Sequence, residues 1–155
     1  MASPRPGADE LGPVLFAYDG SELARLAIEQ AGRQLASGRE ALVVCVWQPA
    51  DVGFVPTDER HFDAQDAGEV QQAAQQTAAH GASVAEAAGF RSQGMAVKAA
   101  PTWKGIVEAA DESRASLIVL GSHSRRGLAG HLVGSVAAAV VAHARSPVLV
   151  VRGQP

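Results

Sequence analysis

Short apolar runs alternate strictly with helix-forming stretches from Val14 to Arg152, and this alternation limits the chain to very few folds. Val14-Leu15-Phe16-Ala17-Tyr18 reads as a first buried strand. Residues 41–47 (ALVVCVW) are continuously apolar and β-branched, as in a strand covered on both faces. Residues 95–99, 116–120 and 147–152 (PVLVVR) supply three more strands. Helical stretches fall between them at Glu22 to about Ala36, at 69–88, at 103–113 and at 135–144. No hairpin signal joins successive strands, so they pair in parallel through right-handed crossovers, with helices on both faces. The 155 residues make one domain's length. The expected fold is a single doubly wound, five-stranded parallel α/β sheet, Rossmann-like, of order 3-2-1-4-5. Residues 1–11 would form a flexible tail and 12–155 the domain.

Local chemistry marks the joints. Asp19-Gly20-Ser21 is a turn with Ser21 placed to cap the first helix. In that helix Leu23, Leu26, Ala27, Gln30, Ala31, Gln34 and Leu35 share one mostly apolar stripe, and Ser37-Gly38 ends it. From Gln48 to about Gly68 no periodicity survives, and a long loop is expected. Gly81 inside the second helical stretch is a weak point of about 1 kcal/mol relative to alanine.

The chemistry concentrates between Gly121 and Ser135, in the sequence GSHSRRGLAGHLVGS. This segment leads from the fourth strand into the fourth helix. In doubly wound sheets ligands sit beyond the carboxyl ends of the strands, where the strand order reverses. With the order 3-2-1-4-5, the loops after the first and fourth strands would flank that crevice. A helix start offers unpaired N–H groups and roughly half a positive charge, which suits phosphate. A nucleotide is therefore the first ligand to consider.

Other classes fit less well. The chain carries 13 basic and 16 acidic residues, a formal net charge of −3, without the basic face that broad nucleic-acid binding needs. Residues 1–11 lack the apolar core of a signal peptide, and the least polar run, 132–142, is shorter than the ~20 residues of a membrane span. The lone Cys45 sits in an apolar run and forms no intrachain disulfide. A cytoplasmic location is expected, with no membrane partner. The phosphate-lysine loop G-x4-G-K-[ST], the G-x-S-x-G elbow and H-E-x-x-H are all absent. No catalytic set emerges, and His123 and His131, eight apart, have no further metal ligands at suitable spacing.

Three segments together resemble the universal stress protein family: the VLFAYDGS opening, the loop from Gly121, and the SPVLVVR ending. Nucleotide-binding members of that family carry G-x2-G-x9-G-[ST]. This chain matches the spacing with Gly121, Ser124, Gly134 and Ser135, serine replacing the second glycine. The resemblance implies an adenine nucleotide alpha hydrolase-like sheet that binds ATP, with or without Mg²⁺. Gly121, Ser124, Gly134 and Ser135 would cradle the phosphates. Asp19 would face the nucleoside. Main-chain groups of Val46 would meet the adenine edge, with Ala17 and Leu120 lining that end. It also implies a homodimer through the last strand, 147–152, and a nucleotide-responsive role in stress and growth arrest.

Several positions keep two readings. Gly134-Ser135 is either a phosphate cradle or a plain helix cap, and Asp19 either a crevice contact or an Asx turn. Arg125 and Arg126 are either screens for a polyphosphate or solvated charges. Trp47 and Trp103 are read as packing residues, with base stacking as the lesser role. Serine in a left-handed conformation at 124 costs about 1–2 kcal/mol, a 5- to 30-fold loss of affinity if imposed only on binding. Beside the ATP-binding regulator stand two alternatives, a ligand-free dimeric interaction module and a slow ATPase.

Overall fold

The computed structural model describes residues 3–4, 7, 10–48, 64–122 and 133–153. Among these residues nine elements follow one another: β1 (Val14–Ala17), α1 (Glu22–Gln34), β2 (Glu40–Trp47), α2 (Ala64–Ala87), β3 (Arg91–Lys98), α3 (Thr102–Ser113), β4 (Leu117–Ser122), α4 (Ser135–His143) and β5 (Val148–Arg152). The strands form one sheet of order β3-β2-β1-β4-β5, every neighbouring pair parallel. The expected order is the order observed.

Two cores form because side chains alternate across each strand. Val14 and Phe16 of β1 face α1 and α2, where Ala27, Ile28, Ala31, Ala82, Ala85 and Phe90 close over them. Phe16 meets Phe90 edge to face, with ring centroids 5.2 Å apart. Leu15 faces α3 and α4 and packs with Val44, Ile106, Ala110, Ile118 and Val140. Helices therefore cover both faces, and the central strands β1 and β4 are the most deeply buried.

Some expectations need correction. The loop placed at 48–68 gives way to α2 from Ala64; its 49–63 portion lies outside the described residues. One glycine at 68 costs about 1 kcal/mol, too little to stop a helix of 24 residues docked further along on the sheet. β3 begins at Arg91, four residues before the expected start at Met95, which RSQG, lacking an apolar signal, did not announce. Its ladder to β2, from Glu40↔Arg91 to Val43↔Gly94, sets that start instead. β4 runs on to Ser122, while β1 stops at Ala17, although the Tyr18 N–H still donates to the Val44 carbonyl at 2.9 Å. The buried face of α1 is Ala24, Ala27, Ile28 and Ala31, rotated from the expected stripe, with Gln34 exposed. Small residues on that face let the helix settle close to the sheet.

Gly81 is no weak point. A Cβ there would lie 2.6 Å from Tyr18 Cδ1 and 2.7 Å from Val43 Cγ1, so only glycine lets α2 sit this close to β1 and β2.

Candidate functional site

β1 and β4 are neighbours, yet the chain leaves them for opposite halves of the sheet, through α1 to β2 and through α4 to β5. Their carboxyl ends therefore diverge and leave a crevice. A cavity of about 130 Å³ opens there, and Ala17, Asp19, Val46, Leu120 and Gly121 all line it. Whole small-molecule sites measure about 300–1,000 Å³, so this cavity has room for one compact end of a ligand. Its walls are mostly apolar. Val44 joins Val46 from β2, Ile106 comes from α3 and Val136 from α4.

Three helices begin at this crevice. Ala24 of α1, Thr102 of α3 and Val136 of α4, each in a first turn, line the same cavity. α1 is capped by Ser21, whose Oγ accepts from the Ala24 N–H at 3.1 Å. Neither Pro101 before α3 nor Gly134 before α4 supplies a side-chain cap. Three positive helix ends thus converge on one point, and two retain amides without a side-chain acceptor, a favourable setting for an anion.

Each expected residue within the described part of the chain has a definite place. The Ser21 N–H donates to Asp19 Oδ1 at 2.9 Å, so Asp19 forms the Asx turn and borders the cavity as well. Gly121 presents its main chain to the crevice. A Cβ on it would lie 2.7 Å from Leu23 Cγ, so the close approach of α1 demands glycine here. Gly134 sits just ahead of α4 at φ −55° and ψ 154°, an extended conformation open to any residue. Its N–H is taken by Ser122 Oγ at 2.7 Å. Ser135 opens α4 and is exposed. Ser124 and Arg125 lie outside the described residues, as do His123, Arg126 and His131.

Neither tryptophan lines the cavity. Trp47 packs with Ala74 and Ala78 under Lys98, whose Nζ is 5.8 Å from the ring. Trp103 stacks on His143 at 4.0 Å. Base stacking on either is set aside.

Tyr18 belongs to the rim through its main chain, because its ring turns to the α1/α2 core, against the space left by Gly81. Burial pushes its phenol above the ordinary value, as do the neighbouring carboxylates of Asp19 and Glu22, with Arg25 opposing. Sequence reasoning missed Val44, Thr102, Ile106, Val136 and Ser122. The first was readable, since Val44 and Val46 share a face two residues apart. Thr102 was not, because its place depends on Gln48 Nε2 donating to Thr102 Oγ1 at 3.1 Å, which holds the start of α3 beside the end of β2.

The fold and this crevice can be set beside known proteins. The model of the universal stress protein family matches residues 10–152. A universal stress protein of Mycobacterium tuberculosis is 33% identical over 151 residues, covering 90% of this chain and 45% of its own length. The chain thus spans about half the length of the curated relatives it matches. Among solved structures, a universal stress protein in complex with cAMP superposes with a TM-score of 0.62 at 26% identity, over 93% of this chain and 98% of that one. One from Archaeoglobus fulgidus in complex with dAMP gives 0.57 at 23% identity, over 90% and 96%.

Proposed function

Because the chain belongs to the universal stress protein family, we propose that it binds an adenine nucleotide, ATP in the first instance, at the carboxyl ends of β1 and β4. The base enters the cavity between Ala17, Val46 and Leu120, with Asp19 toward the nucleoside. The phosphates extend along Gly121, Ser124 and Arg125 to the start of α4 at Gly134 and Ser135. Any Mg²⁺ is carried chiefly by phosphate oxygens and water. Occupancy, rather than turnover, is the signal in this reading, and the protein acts as a nucleotide-responsive stress regulator in the cytoplasm. No helix among the described residues is long and apolar enough to cross a membrane.

One observation carries the reading: first-turn residues of three helices line one apolar cavity at the switch point of the sheet. An apolar pocket for a ring beside uncapped helix starts for an anion is the division of labour a nucleotide requires. The cAMP and dAMP complexes of the relatives support an adenine ring as that group.

Isothermal titration with ATP tests it. Heat is expected from the parent protein, and none from Ala17→Phe, which fills the cavity. At a hundredfold excess over Kd, ATP should add about 2.7 kcal/mol to stability, visible as a rise in Tm. A parent protein that gives no heat and no Tm shift at millimolar ATP overturns the reading. The ligand-free dimeric module then takes its place, favoured by the apolar edge at β5, where Leu149, Val150 and Val151 border a groove with Leu26, Gln30 and Gln34 of α1. Steady phosphate release that survives purification would instead mark a slow ATPase.

A further inference from the structure

Ser122 ends β4 with only 4% of its surface exposed; among the described residues Arg39 is the one other buried polar side chain. Its Oγ accepts from the Gly134 N–H at 2.7 Å, across twelve positions of sequence. The direction of that bond is fixed, since a main-chain N–H only donates. Ser122 therefore fastens the end of β4 to the residue that caps α4, joining the two ends of the segment between them. α4 has few other holds at this end, because its only fully buried residues are Ala137 and Val140. The serine is the polar anchor ahead of both.

We infer that Ser122 is the positioning residue for the phosphate end of the nucleotide site. The inference rests on the nucleotide reading above and makes it more specific. With the Gly134 amide already occupied, that group is not a phosphate donor. The amides on offer are those of residues 135–137, which have no intrahelical acceptor. Ser122 holds them at one place before any ligand arrives, so the ligand does not bear the cost of ordering the helix start. Accepting from Gly134 also leaves the hydroxyl proton of Ser122 for a further bond. A phosphate oxygen is the acceptor this arrangement suits. The base end is independent of the anchor, since Ala17, Val46 and Ile106 reach the cavity from other elements.

Calorimetric titration of Ser122→Ala and Ser122→Thr with ATP and, separately, with adenosine tests the assignment. ATP affinity should fall about five- to tenfold in Ser122→Ala, the worth of one hydrogen bond. Adenosine, which has no phosphate, should bind as it does to the parent, and Ser122→Thr, which keeps the acceptor, should restore ATP binding. Equal losses for ATP and adenosine, no loss for either, or the same loss in Ser122→Thr would each overturn the inference while leaving nucleotide binding intact. A parent protein that binds neither ligand overturns both together. Should Ser122→Ala fail to fold, hydrogen exchange on the parent decides. The Gly134 amide should be protected before any nucleotide is added, and rapid exchange there refutes the anchor.

Discussion

Tyr18 is the single tyrosine of the chain, so its ionisation can be followed without interference from another phenol. Burial and the carboxylates of Asp19 and Glu22 hold its proton more firmly in the folded protein than in the unfolded chain. The folded pKa is raised, so its stabilising contribution is complete below about pH 10 and is lost as pH climbs through the folded value. Near-ultraviolet phenolate absorbance should therefore titrate later in the native protein than in urea. Denaturation midpoints should fall between pH 9 and pH 11, roughly, and Tyr18→Phe should fall less. Coincident native and unfolded titrations would refute this. Gly121 shows how far a single residue can be read from sequence. Its place in the G-x2-S-x9-G-S pattern was legible, but its reason was not. The missing Cβ makes room for Leu23, a neighbour 98 positions away that no local pattern announces.

At the level of elements, α2 is the most informative. Composition favours alanine at position 81 by about 1 kcal/mol, yet the space there is filled by the Tyr18 ring and Val43. Gly81→Ala should destabilise the protein by about 1–3 kcal/mol through overpacking, measured by urea denaturation; a stabilised variant would contradict the packing described. The strands β1, β2, β4 and β5 were readable because each has at least one apolar face and strands and helices alternate without hairpins. β3 was only half readable: it is an edge strand whose opening residues owe their conformation to the ladder with β2. The stripe of α1 was misjudged for a related reason. Leucines outrank alanines in hydropathy, but small residues face the sheet where backbones come close, at Ala24, Ala27 and Ala31. The crevice itself was legible as a consequence of strand order, whereas its rim at Thr102 and Ser122 depends on hydrogen bonds between distant segments.

For the whole molecule, all five strands point their carboxyl ends the same way, and the starts of α1, α3 and α4 gather at that end. The opposite concern is the β5 edge, where a row of main-chain groups and half-buried valines faces outward beside α1. A second copy pairing there would give a dimer, and Val150→Pro should convert it to a monomer or to insoluble material, as read by light scattering after gel filtration. A well-folded dimer of that variant would move the interface elsewhere. Leu23 bears on both ends of this picture. It fills the hollow over Gly121, and its Cδ1 lies 3.5 Å from where a Cβ on Gly153, just past β5, would stand. One leucine is thus wedged between the floor of the crevice and the outer margin of the sheet. A change of side-chain size at position 23 would therefore be felt at both places, under the crevice and at the sheet margin.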